Sequence, residues 1–173
     1  MAVQTPIPDD DPARVLVVRS ADDPGVPHVG LVGDTYTVVV SGADTGGAYC
    51  LIDMLIPPGG GPGPHRHDFE EMFTVLEGQV DVTFRGEVTT ARAGQTVNVP
   101  ANAPHFFHNA STAPARMLCM CTPAGQEEFF VAVGDPVGAR TADAPVLEGP
   151  ALEAKLATIA ELAPRYRTEL LTG

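Results

Sequence analysis

Three imidazoles and one carboxylate stand in two segments about 40 residues apart, His65-Arg66-His67 with Glu71, and His105. Imidazole nitrogens and carboxylate oxygens hold a divalent first-row metal while leaving one or two coordination positions open. The pattern therefore points to a metal centre that can polarise or orient a bound molecule, not to polar residues scattered over a surface.

Such a centre needs elements that aim the four side chains at one point. His65 and His67 are two residues apart, so on an extended backbone both face the same way, and Glu71, Phe73 and Val75 share that parity if the strand runs on without a bulge. Glu70 is the alternative carboxylate, on the opposite face unless the backbone is irregular at Asp68-Phe69; Asp68 and Glu70 are expected in solvent. His105 follows the turn-rich Pro100-Ala-Asn-Ala-Pro104 and has the parity of Phe107, whereas His108 faces away. His108 is expected at the surface or behind the ligands, and His28 in a Pro/Gly-rich loop. The stretch Gly59-Gly-Gly-Pro-Gly-Pro64 has no Lys-Ser/Thr and precedes a strand, so it reads as an irregular entry into the ligand strand rather than as a phosphate loop.

Around these residues, short β-branched and apolar runs recur: Val15–Val18, Tyr36–Val40, Tyr49–Ile56, Met72–Leu76, Val80–Phe84, Glu87–Ala91, Thr96–Val99 and Met117–Thr122. Gly, Pro, Asp and Asn clusters separate them, which is the texture of an all-β sandwich or barrel. Arg85-Gly86 reads as the tight turn of a hairpin between two of the runs. Residues 1–14 are polar and proline-rich and read as an arm, 15–135 as the β-domain, and 136–173 as a linker and helical tail. In that tail Pro150 can open a helix whose Leu152, Leu156 and Ile159 share a face until Pro164, with a short second element around Tyr166–Leu171.

Composition narrows the function classes. Ten basic against twenty-two acidic residues give a net charge of −12, which opposes binding to nucleic acid or to anionic membrane surfaces. No stretch approaches the roughly 20 apolar residues of a membrane helix, and Met1-Ala-Val-Gln-Thr-Pro6 lacks the regions of a signal peptide, so a cytoplasmic protein is expected. The three cysteines, Cys50, Cys119 and Cys121, read as small buried hydrophobes rather than as a disulfide framework.

The spacing from Gly59 through His65-x-His67 and Glu71 to Gly78 resembles the first cupin motif. That from Gly94 through Pro100 and His105 to Asn109 resembles the second, with Asn102 where glycine is usual. Asparagine tolerates positive φ better than other non-glycine residues, so the turn survives. The resemblance, to small single-domain bacterial cupins and, in the tail, to quercetin-dioxygenase-like proteins, covers residues from about 35 to 122. It implies a double-stranded β-helix, a jelly-roll barrel with a short C-terminal helical extension. Inside the barrel His65, His67, Glu71 and His105 would hold one divalent metal, Fe, Mn, Ni, Co, Cu or Zn. It further implies a homodimer, with the N-terminal arm exchanged between subunits. The activity expected is a dioxygenase for a small aromatic or enolisable substrate in a pocket of Phe73, Val75, Phe84 and Phe107, with Glu71 taking the substrate proton. Isomerase, lyase or decarboxylase chemistry, or small-molecule binding without catalysis, is the alternative on the same scaffold.

Overall fold

In a computed structural model, which describes residues 6–172, the chain runs as β1 (His28–Leu31), β2 (Asp34–Val40), a single helical turn α1 (Gly42–Thr45), β3 (Cys50–Ile56), β4 (His65–His67), β5 (Glu70–Glu77), β6 (Gln79–Phe84) and β7 (Glu87–Arg92). It continues as β8 (Thr96–Val99), β9 (His105–His108), β10 (Ala115–Thr122), α2 (Gln126–Val133), β11 (Asp135–Pro136), α3 (Gly149–Leu162), a 3-10 turn (Ala163–Tyr166) and β12 (Thr168–Leu170). Residues 1–5 of the expected arm lie outside the described residues.

Two antiparallel sheets face each other. One has the order β11-β1-β2-β3-β10-β5-β8 and the other β12-β4-β9-β6-β7. Alternation along the strands explains the layering: in β10, Ala115, Met117, Cys119 and Cys121 are buried while the residues between them are not. Ile52, Met54, Ile56, Val75, Val80, Val99 and Met117 fill the space between the sheets, each burial contributing about 1.5–3 kcal/mol for the larger side chains. The hairpin at Arg85-Gly86 forms as expected, with both turn residues at positive φ and Phe84 opposite Glu87.

Four details depart from the sequence reading. Val15–Val18 forms no strand; Val15, Leu16 and Val18 are 76, 91 and 84% exposed, because no strand lies alongside to accept them. His28 is not in a loop but buried in β1, where Nδ1 meets the Thr37 hydroxyl at 2.8 Å and Nε2 the Asp23 carbonyl at 3.1 Å. The element after α3 is a 3-10 turn followed by a strand, β12, which pairs with β4 so that Thr168 lies opposite His67 and Leu170 opposite His65. The helix α2 had no expected counterpart. It buries Phe129, Phe130 and Val133, and Lys155 of α3 donates to the Val133 carbonyl at its C-terminal end, where a cation is favoured.

Candidate metal centre

The first ligand strand is short. It ends after His67, the chain bends at Asp68-Phe69, and β5 begins in the opposite sheet. The unbroken strand that parity assumed is therefore absent, yet Glu71 still points inward. The inner faces of both sheets look onto one interior, so crossing between them returns the carboxylate to the histidines. Glu70 faces out, where its carboxylate accepts from the Ala101 N–H and the Asn98 amide, and Asp68 pairs with Arg167 at 2.7 Å. His105 opens β9 directly opposite His65, and His108 is exposed.

His65, His67, Glu71 and His105 are all buried, and each offers one ligand atom within 4.8 Å of the others. A backbone carbonyl sets the orientation of every ring: Nδ1 meets Gly63 O at 2.9 Å in His65, Phe69 O at 3.0 Å in His67 and Ala103 O at 2.9 Å in His105. A carbonyl only accepts, so each neutral ring keeps its proton on Nδ1 and turns the bare lone pair of Nε2 inward, the tautomer a metal requires. The Phe69 ring lies flat against His67, with centroids 3.9 Å apart.

The same geometry tests whether a cation belongs at the centre. Nε2 of His67 and of His105 each lie 3.0 Å from Glu71 Oε2. Lone pairs facing a carboxylate at that range repel unless positive charge lies among them. Two donors about 2.1 Å from one ion, at right angles, are about 3.0 Å apart. The donor set fits a divalent metal in both chemistry and spacing. Without one, positive charge must come from protons: burial acts to lower the His105 pKa, but its hydrogen bond and charge interaction with Glu71 raise it. His65 is pushed down to about 4 by burial and by His105. For Glu71, burial acts to raise the pKa, yet hydrogen bonds from His105 and His67 hold it well below the carboxylate range. Glu71 Oε1 is turned the other way, toward the Cys119 thiol at 3.3 Å and the Cys121 thiol at 3.8 Å. Burial pushes the Cys119 thiol up to about 12, so it donates rather than ionises.

His65 and Glu71 border a cavity of about 310 Å³. Phe73 and Phe107 line it, edge to face at 5.4 Å, as the parity argument requires. Val75 is buried in the core and Phe84 is half-buried under the Arg85 guanidinium at 4.7 Å, and neither lines the cavity. The remaining walls come from segments the motifs do not include: Met54, Phe129, Phe130, Leu156, Ile159 and Leu170. Four polar side chains, Asp34, Tyr36, Gln126 and Thr168, also line it. Asp34 and Tyr36 have the inward parity of β2, a signal present in the sequence but without a motif to single it out.

Gly59 to Asn109 closes the site from behind, with Gly59 N–H donating to Asn109 O and Asn109 N–H to Gly60 O. A side chain at Gly60 would collide with Asp34 Oδ1, and one at Gly61 with the Phe107 carbonyl, so the glycine run lets the backbone press against both. Asn102 holds φ +68, as expected for the turn before His105.

Residues 52–121 match the family described as Cupin domain. The chain is 36% identical over 58 residues to the HTH-type transcriptional regulator PuuR of Escherichia coli K12, covering 34% of this chain and 31% of that protein. It is 33% identical over 70 residues to polyketide synthase CurC of Streptomyces cyaneus, covering 40% and 46%. The chain spans less than two thirds of the length of the curated relatives it matches. Among solved structures, the polyketide cyclase RemF of Streptomyces resistomycificus superposes with a TM-score of 0.54 at 15% identity, over 83% of this chain and 99% of that one, a likeness of fold. With two facing antiparallel sheets, and three histidines and a glutamate between them, residues 52–121 carry a cupin domain.

Proposed function

We propose that this protein is a mononuclear metalloenzyme for a small, apolar, enolisable or phenolic molecule, and that its reaction is a dioxygenation. The observation that carries the reading is the opening of a three-histidine, one-glutamate centre onto a cavity whose walls are mostly aromatic and aliphatic. When bound, the divalent metal supplies Lewis acidity and, for a redox-active ion, a route for electrons. His65, His67 and His105 hold it, their rings fixed by the three carbonyls. Phe73, Phe107, Phe129 and Phe130 orient a flat substrate and exclude water.

A second reading is non-oxidative proton-transfer chemistry, such as cyclisation or isomerisation of an enolisable ketone. It is favoured by the buried carboxylate Asp34 in the same cavity. Elemental analysis of protein purified without chelator, followed by an oxygen electrode with flavonols, catechols and 1,3-diketones, tests both. Near-stoichiometric Fe, Mn, Co, Ni or Cu with substrate-dependent oxygen uptake supports dioxygenation. Zinc alone, or binding without uptake, favours the second reading, since zinc has no redox chemistry. Metal well below half an equivalent refutes both.

The proposal extends to assembly: a homodimer joined through the exposed run at 15–18, with neither nucleic acid nor membrane as partner. Three large apolar side chains in solvent and the −12 charge support it. Serine at Val15, Leu16 and Val18 is expected to give a monomer by light scattering; an unchanged mass refutes the arm's role. No helix among the described residues is long and apolar enough to cross a membrane.

A further inference from the structure

We propose that Asp34 is the proton acceptor of the cavity and that Gln126 binds a hydroxyl of the same molecule, which is therefore an enolisable ketone or phenol carrying a hydrogen-bond donor. This inference rests on the metalloenzyme reading above and names the chain's own groups that act on the substrate.

The carboxylate of Asp34 is 2% exposed and lines the cavity with His65 and Glu71. It accepts from the Tyr36 hydroxyl at 2.9 Å and from the Gly61 N–H at 3.2 Å, and among the described residues no arginine, lysine or histidine forms an ion pair with it. A buried charge so placed is unfavourable unless a proton or a cation compensates it, which makes it a strong acceptor for a substrate proton. Burial raises its pKa to about 7, against weaker opposing hydrogen bonds from Tyr36 and Gly61, the range in which a general base is most effective near neutral pH.

The surroundings are shaped for it. Asp34 begins β2 directly after the Val32-Gly33 turn, in which Val32 takes φ +50, an unfavourable conformation for a β-branched residue. The hairpin is thereby forced back so that Asp34 enters the interior, and the absent side chain of Gly60 leaves it room. Across the cavity, Gln126 is 4% exposed and its Oε1 has no hydrogen-bond partner, singled out in this among the buried side-chain nitrogens and oxygens of the described residues. An orphaned buried acceptor in a cavity calls for a donor on the occupant. The Tyr36 ring packs tilted against Phe130 of α2, centroids 4.5 Å apart, and so is fixed in place to hold Asp34.

The step balances without an oxidant. A C–H bond next to the ketone, or a phenolic O–H, breaks; the proton forms an O–H bond on Asp34; and the electron pair moves onto the substrate oxygen as enolate or phenolate. Asp34 exchanges that proton with solvent and delivers one back to the enolate or phenolate, which regenerates the carboxylate.

The test uses metal-replete, full-length protein with ortho-hydroxyacetophenone as probe, followed by proton NMR in deuterated water. The wild type is expected to broaden the probe's lines and to exchange its methyl protons for deuterium faster than solvent does. Asp34→Asn is expected to slow that exchange roughly 100-fold while probe broadening and metal content stay unchanged. Tyr36→Phe should slow it less, and Gln126→Leu should weaken binding of the probe about tenfold, the loss of one hydrogen bond to a buried acceptor. Equal exchange by wild type and Asp34→Asn, or no exchange by a wild type that binds the probe, overturns the role of Asp34 and leaves the metalloenzyme reading standing. A wild type that neither broadens nor exchanges the probe overturns both.

Discussion

Glu71 and Asp34 are buried carboxylates that border the same cavity, and their surroundings drive them in opposite directions. Glu71 sits against two imidazoles, whose hydrogen bonds overcome burial and keep it ionised. Asp34 sits against a phenol and one backbone N–H, so burial prevails and its pKa rises to about 7. One carboxylate is thereby suited to hold a cation and the other to hold a proton. Where two acids in one site are pushed apart in this way, the division of labour follows from their neighbours rather than from their type. It also moves the proton-accepting role expected of Glu71 to Asp34 in the proposal above.

The sharpest way to break this comparison is at the metal end. His67→Ala is expected to lose most bound metal by elemental analysis, with far-UV dichroism retained, whereas His108→Ala should lose little. Equal losses would undo the assignment of inward and outward faces. Next, Glu71→Gln should weaken metal binding by roughly 10- to 100-fold in a competition titration, and Asp34→Asn should leave it unchanged.

At the other end the effect is on stability and depends on pH. Asp34 is raised from an ordinary 3.8 to about 7, so between those values the folded, metal-free protein holds a proton that the unfolded chain has released. Stability therefore falls as pH rises through that window. Asp34→Asn removes the dependence and should stabilise the metal-free protein at pH 8 by on the order of 2–4 kcal/mol in urea unfolding, with little gain below about pH 4. A gain that does not vary with pH would show that Asp34 has the same pKa in the folded and unfolded chain. The smallest effect is expected at the cavity mouth. Leu156 is 47% exposed, so Leu156→Ser should change stability by less than about 0.5 kcal/mol while weakening retention of an apolar ligand.

The metal end was legible because histidines at strand spacing carry their meaning locally. His65, His67 and His105 needed only parity and a turn, and Arg85-Gly86 needed only its dipeptide. Glu71 was found although the strand breaks at Asp68-Phe69, since both sheets face one interior. The Asp34 end was not legible. Its meaning depends on Gly60, Gly61 and Gln126, which are 26 to 92 residues away and carry no periodicity linking them to β2. The exposed Val15–Val18 run shows the converse: local β-propensity without a neighbouring strand makes no strand.

The pairing of β12 with β4 sets an order of events during synthesis. His65 and His67 leave the ribosome long before Thr168 and Leu170, and β4 also waits for His105 on its other side. Until some 100 further residues have been made, the two histidines lie on a strand without its neighbours, with contacts of high sequence separation still to form. Metal that arrives before His105 has been made meets only His65, His67 and Glu71. The strand that carries two of the ligands therefore gains its β12 neighbour only about 60 residues after the last ligand, His105, has been made.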